Sequence, residues 1–204
     1  MPIPDALRLV AITDDLRDRR AGLVARAKAA VRGGATMVQL RLEDIDPRDL
    51  VAIARALVEA LPVPLVVNAR ADVALAAGAA GVHVGTDDIP AAALRRVVPP
   101  GFVIGASVGT EDEVSNAAGA DYVGIGPVFG AVRGPEPTGA IGVAEFTRLA
   151  RLTGLPAIGI GGIDELNARQ LREAGASGVA VIRAIFAAPD PERAARALSS
   201  AIGS

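Results

Sequence analysis

The sequence predicts a single (β/α)8 TIM barrel of the α/β class, and three observations carry that prediction. Four segments repeat one pattern: Gly34-Ala-Thr-Met-Val38, Gly78-Ala-Ala-Gly-Val82, Gly119-Ala-Asp-Tyr-Val123 and Gly175-Ala-Ser-Gly-Val179, each after an alanine-rich helical stretch. Their spacings of 44, 41 and 56 residues are too long for one βα unit but suit two, and an apolar strand lies midway in each gap. Finally, 204 residues fit a barrel class that runs to roughly 250 residues as one domain.

The elements follow in order. LRLVAIT, ending at Thr13, makes the first strand, and AGLVARAKAAV reads as the first large helix. In each repeat the glycine suits the left-handed position that ends a helix, and the apolar residues after it start a strand. The repeats thereby supply strands two, four, six and eight. LVVN at 65 to 68, FVIGAS at 102 to 107 and AIGIG at 157 to 161 supply three, five and seven. Helix-compatible segments such as Pro47 to Leu61 and Ile163 to Glu173 follow the strands, and Asp46-Pro47, Thr110-x-x-Glu113 and Asp164-Glu165 offer capping side chains at their starts. PVFGAVRGPEPTGAI, from Pro127 to Ile141, is the longest irregular stretch and reads as a binding or lid element. No linker composition divides residues 1–204, so one domain is expected.

Composition removes much chemistry. There is no cysteine and a single histidine, His83, which excludes disulfides, thiolate nucleophiles and multi-imidazole metal sites. Of 21 basic residues only Lys28 is a lysine, and it lies in a helix away from any strand end, against Schiff-base aldolase chemistry. A net charge of -2 without a basic patch, and 2% aromatics, argue against a nucleic-acid partner. Hydrophobic residues reach 51% and mean hydropathy is +0.40, yet the uncharged runs Val73 to Thr86 and Val97 to Thr110 fall short of the roughly 18 residues a membrane span needs. MPIPDALRLV carries no export pattern, so the cytoplasm is expected, with no membrane partner and with homo-oligomerisation open.

Barrel chemistry sits at the carboxyl ends of the strands. Those ends are Thr13 to Asp15, Gln39 and Arg41, Asn68 and Arg70, Gly85 to Asp88, Ser107, Gly126-Pro127, Gly161-Gly162 and Ile182 to Ala184. AIGIGGI, from Ala157 to Ile163, weaves three glycines through a strand end, which normally weakens a strand. Two reasons compete. Glycine lets backbone N–H groups approach phosphate oxygens at the seventh and eighth strands, with Arg183 able to pair the phosphate. Alternatively these glycines only relieve crowding.

Other strand-end residues carry similar pairs of readings. Asp87 and Asp88, before Ile89-Pro90, suit either a helix cap or Mg²⁺ accompanying a diphosphate. Gln39, Arg41 and Glu43 alternate and face one way, so Arg41 meets either a substrate anion or Glu43. Asn68 and Ser107 either hold substrate oxygens or satisfy loop backbone. His83, between Val82 and Val84, reads as a packed residue rather than a base.

At these residues the chain resembles the thiamine phosphate synthase family, which includes the thiazole tautomerase TenI. LVAITDD, GGATMVQLR, VVNARADVAL, GVHVGTDD, GASVGT, ADYVGIGPVF, AIGIGGI and VIRAIFAAPDPERAA carry the resemblance nearly end to end. It implies a (β/α)8 barrel that joins hydroxymethylpyrimidine diphosphate to thiazole phosphate with Mg²⁺ and releases diphosphate. It also implies roles: Gln39, Arg41, Asn68 and Ser107 at the pyrimidine diphosphate, with Arg41, Asn68 and Ser107 catalytic. Arg133 joins the substrate contacts. Asp88 binds the metal, and Gly161, Gly162, Ile182, Arg183 and Ala184 cradle the thiazole phosphate.

The departures fall on the diphosphate and metal side. Glu43 stands where the synthases carry Lys, Ala69 where they carry a second metal-binding Asp, Thr86 for Gln and Gly109 for His. Ala131, Arg133 and Gly134 replace a Thr-x-Thr-Lys. At an effective dielectric near 20, a carboxylate about 5 Å from a phosphate charge costs roughly 3 kcal/mol. Arg133 and Arg70, or Glu43 turned onto the metal, are the available compensations. A tautomerase and a non-catalytic phosphate binder therefore stand as alternatives to a synthase, although Pro127 occupies the position of the tautomerase histidine.

Overall fold

The computed structural model describes residues 3–13, 22–133 and 136–203, with backbone alone at 131–133 and 136–138. Eight parallel strands close into a barrel: β1 (Leu9–Ile12), β2 (Met37–Leu40), β3 (Leu65–Asn68), β4 (Gly81–Val84), β5 (Val103–Val108), β6 (Tyr122–Ile125), β9 (Ala157–Ile160) and β10 (Gly178–Val181), in the order β1-β10-β9-β6-β5-β4-β3-β2. The expected seventh and eighth strands are thus β9 and β10. Between β6 and β9 a short antiparallel hairpin interrupts the sequence, β7 (Ala131–Arg133) paired with β8 (Glu136–Thr138).

Strand alternation divides the core in two. Leu9, Ala11, Val38, Val67, Val82 and Val123 point outward against the helices, while Val10, Ile12, Met37, Val66, Tyr122, Ile158 and Ala180 fill the barrel interior. Every barrel strand is therefore covered on both faces, which accounts for strongly apolar runs such as LVAI. The helices α1 (Ile3–Ala6), α2 (Leu23–Arg32), α3 (Pro47–Ala60), α4 (Ala71–Ala77), α5 (Ala91–Arg95), α6 (Gly142–Thr153), α7 (Ala168–Glu173), α8 (Arg183–Phe186) and α9 (Pro191–Ala201) surround it. Lys28 lies in α2. No described helix is long and apolar enough to cross a membrane.

The local signals were met unevenly. Gly78, left-handed at φ 71°, closes α4, and the other three repeat glycines are also left-handed. Asp46 caps α3 by accepting from the Arg48 N–H, with Pro47 at the first helical position. The helix expected after strand five is a 3-10 turn, Asp112–Ala117. There Glu113 reaches back beyond Thr110 and accepts from the Gly109 N–H at 2.6 Å. The helix expected from Ile163 begins only at Ala168, because Asp164 Oδ1 accepts from Leu166 and Asn167 N–H and holds a turn instead. The stretch from Pro127 to Ile141, read as irregular, contains the β7–β8 hairpin.

Candidate active site

A cavity of about 870 Å³ opens at the carboxyl end of the barrel. Most of the strand-end residues singled out in the sequence meet in its wall: Gln39, Arg41, Asn68, Asp88 and Ser107 on one side, Gly161, Gly162, Ile182, Arg183 and Ala184 on the other. The topology explains the division, since β2 to β5 form one arc of the barrel and β9 and β10 another.

On the polar arc, Thr13 is the organising residue behind Arg41. Its hydroxyl accepts from the Arg41 N–H and donates to the Arg41 carbonyl, both at 2.8 Å, and so fixes the chain where β2 ends. The Arg41 side chain then lines the cavity, but its Nη2 lies 2.6 Å from Glu43 Oε1. Of the two partners the sequence offers Arg41, Glu43 is the one it meets here, while the guanidinium also faces the cavity. Asp14 and Asp15 lie outside the described residues.

Asp88 does not cap a helix: α5 starts at Ala91, preceded by Pro90, with no side-chain cap. Its Oδ2 instead accepts from the Gly85 N–H at 2.7 Å, locking the turn after β4. Oδ1 has no protein partner among the described residues. Those residues also hold no group of three His, Asp or Glu side chains able to enclose a metal. The donor set is one carboxylate with one oxygen left over, which fits Mg²⁺ only where substrate phosphates and water complete its shell, the usual arrangement for that ion. Ala69, at the position of the missing aspartate, is left-handed at φ 62°.

On the opposite arc the glycines that end AIGIGGI are held by packing and also face the cavity. Gly161 and Gly162 are left-handed, at φ 95° and 65°. A Cβ on Gly161 would stand 2.6 Å from Pro127 Cα, and one on Gly162 2.8 Å from the Phe129 carbonyl oxygen, so the loop after β6 is packed against this turn. Crowding therefore requires these glycines. Nevertheless both residues line the cavity, and among the described residues no acceptor takes the N–H of Gly162, Arg183 or Ala184. Gly159 serves packing alone: its Cβ would meet Leu171 of α7 at 2.5 Å, on the outer face of the barrel.

One predicted cation separates from the site. Arg70 does not line the cavity and forms a two-pronged pair with Asp72, at 2.9 and 2.6 Å, which holds the Asp72 carboxyl below its ordinary range. It is not available to neutralise a diphosphate. The Arg133 side chain and Gly134 lie outside the described residues.

His83 is buried, as expected of a packed residue, but its ring lines the cavity and its Nε2 lies 3.1 Å from Ser107 Oγ. On its other side Nδ1 lies 3.1 Å from the Tyr122 hydroxyl. Tyr122 is a polar residue of this region that sequence reasoning missed, and Glu113, read there as a helix cap, lines the cavity. Tyr122 was findable, since it sits two residues before Gly124 and shares its inward parity on β6.

Comparison with known proteins is consistent over the whole chain. A sequence profile described as thiamine monophosphate synthase matches residues 9–185. Thiamine-phosphate synthases of Roseiflexus sp. (strain RS-1) and Xanthobacter autotrophicus are each 45% identical, covering 100% and 99% of this chain and 89% and 98% of their own. The thiamine phosphate pyrophosphorylase from Pyrococcus furiosus superposes with a TM-score of 0.87 at 32% identity, covering 98% of this chain and 97% of its own.

Proposed function

This chain belongs to the thiamine monophosphate synthase family, and we propose that it joins hydroxymethylpyrimidine diphosphate to thiazole phosphate, releasing diphosphate. It is a transferase of thiamine biosynthesis, as its relatives named thiamine-phosphate synthase are. Those relatives, at 42–45% identity, disfavour the tautomerase and the non-catalytic binder.

In the proposed reaction the thiazole nitrogen attacks the pyrimidine methylene carbon. The new C–N bond forms as the C–O bond to diphosphate breaks, and the diphosphate leaves with the electron pair. Ser107 and Arg41 donate to the diphosphate oxygens, where negative charge grows as that bond breaks. Gln39 and Asn68 are side-chain amides able to match donors and acceptors on the pyrimidine. The Gly161-Gly162 and Ile182-to-Ala184 backbone binds the thiazole phosphate, with Arg183 beside it, and so fixes the nucleophile in line. Asp88 Oδ1 would hold a Mg²⁺ that arrives with the diphosphate. When bound, that ion neutralises leaving-group charge. Arg133 we retain as a substrate contact from the loop after β6. Phosphorylated substrates do not cross membranes unaided, and we place the reaction in the cytoplasm.

One observation carries this reading: a single cavity has polar strand ends on one wall and open glycine-turn amides on the other, so that two phosphorylated substrates can face each other. The test is to mix both substrates with Mg²⁺ and measure thiamine phosphate. Product formation supports the synthase. Absence of product at high protein concentration, with thiazole phosphate still bound by calorimetry, would replace it with the binder.

A further inference from the structure

Gln39 of β2 lies beside the Tyr122 hydroxyl, from which a line of hydrogen bonds crosses the upper barrel through residues of β6, β4 and β5, and the displacement described above uses only Gln39 and Ser107 of these. That hydroxyl lies 3.1 Å from His83 Nδ1, and His83 Nε2 lies 3.1 Å from Ser107 Oγ. The barrel wall is cut away to admit it. A Cβ on Gly105 would stand 2.5 Å from His83 Nδ1, and one on Gly124 3.1 Å from His83 Cε1. The His83 and Tyr122 rings fill the resulting space, tilted at 41° with centroids 5.5 Å apart.

The line has a direction. Complete burial keeps the proton on the Tyr122 oxygen, and a buried O–H needs an acceptor. His83 Nδ1, 3.1 Å away, is the partner that meets hydrogen-bond geometry among the described residues, so the Tyr122 O–H donates to it. A ring nitrogen that accepts carries no proton, which places the proton of the neutral imidazole on Nε2, donating to Ser107 Oγ. Ser107 has accepted, and among the described residues no acceptor takes its own O–H, while its side chain lines the cavity.

We propose that His83 is a positioning residue that, held by Tyr122, donates from Nε2 to Ser107 and thereby turns the Ser107 hydroxyl proton toward an anionic oxygen of the bound diphosphate. A serine hydroxyl left alone rotates and can present a lone pair to an anion as readily as a proton. Fixing the rotor removes the repulsive orientation before substrate arrives. The proposal rests on the reading of Ser107 as a diphosphate contact, and its test separates the two.

His83 is the only histidine and Tyr122 the only tyrosine in the sequence, so each is read without assignment. Nitrogen NMR of the imidazole in the untagged protein should show one neutral ring protonated at Nε2 and bare at Nδ1. The opposite tautomer overturns the proposal whatever the turnover. Kinetically, His83→Leu should lower kcat/KM for the pyrimidine diphosphate about 10- to 100-fold, the value of one hydrogen bond to a charged group. Ser107→Ala should match it, and the double variant should be no worse than either single one. His83→Gln, whose amide nitrogen reaches the place of Nε2, should recover most of the loss. A wild-type value for His83→Leu, or additive losses in the double variant, would also overturn it. If instead the native protein makes no thiamine phosphate, the functional reading fails, and the tautomer measurement still decides the direction of the line.

Discussion

Arg41 Nη2 stands 2.6 Å from Glu43 Oε1 at the rim of the barrel, so the guanidinium facing the substrate cavity is already partly answered by a carboxylate. Glu43 is well exposed, at 61% of its side chain, and solvent screens its effect.

Glu43→Gln should therefore release Arg41 and lower KM for the pyrimidine diphosphate by about 2- to 5-fold, the range set by exposed pairs. Glu43→Lys should lower it further by adding attraction. Steady-state kinetics at two ionic strengths check both, since the gain should shrink as salt rises. An unchanged or higher KM in both variants would show that the pair does not compete with substrate.

Ala69→Asp should raise the apparent affinity for Mg²⁺ in turnover. It adds a second carboxylate after β3, and Asp tolerates the observed φ of 62° better than Ala does. The fold should be no less stable by urea denaturation. Conversely, Asp88→Ala should raise the Mg²⁺ requirement and also loosen the Gly85 turn that Asp88 holds. A magnesium titration of the three proteins reads the order directly.

Gly162→Ala and Gly159→Ala should fail differently. At Gly162 the new Cβ meets the Phe129 carbonyl at 2.8 Å from a left-handed backbone, so the turn must move and thiazole phosphate affinity should fall at least tenfold by calorimetry. At Gly159 it meets only Leu171, behind the barrel wall. That variant should lose about 1–3 kcal/mol of stability from overpacking while binding thiazole phosphate normally.

Tyr122 offers a pH prediction with a definite sign. Burial raises its phenol pKa well above the ordinary 10.0. A raised folded-state value contributes stability that is fully present below pH about 10 and is lost as pH rises toward the folded value. The phenolate absorbance band, unobscured because the sequence has no tryptophan, should therefore appear together with alkaline unfolding. Phenolate formed in a still-folded chain would contradict the burial.

Much of this was legible in the residues. The glycine repeat placed the strands within a few positions, and Asp46-Pro47 placed the start of α3, because helix ends and strand starts depend on backbone conformations that few residue types adopt. The motifs at strand ends also assembled as expected, since a closed parallel barrel brings all its carboxyl ends to one mouth. Glu113, Asp164 and Asp88 were harder. Each is a carboxylate before or in the first turn of a helical segment, and whether it caps the helix or ties a turn depends on which N–H the fold brings within 3 Å or so.

By itself, then, the sequence determined the architecture, the inventory of groups at the mouth and the family, because period, glycine placement and composition are properties of the chain. Only the tertiary structure decided the pairings. It set Arg41 against Glu43, withdrew Arg70 to Asp72, crowded Gly161 and Gly162 under the loop after β6, and strung Tyr122, His83 and Ser107 across three strands. Barrel closure and register bring such residues together from distant parts of the chain. Hydrogen bonds form over about 3 Å and specific angles, a precision that sequence spacing cannot express.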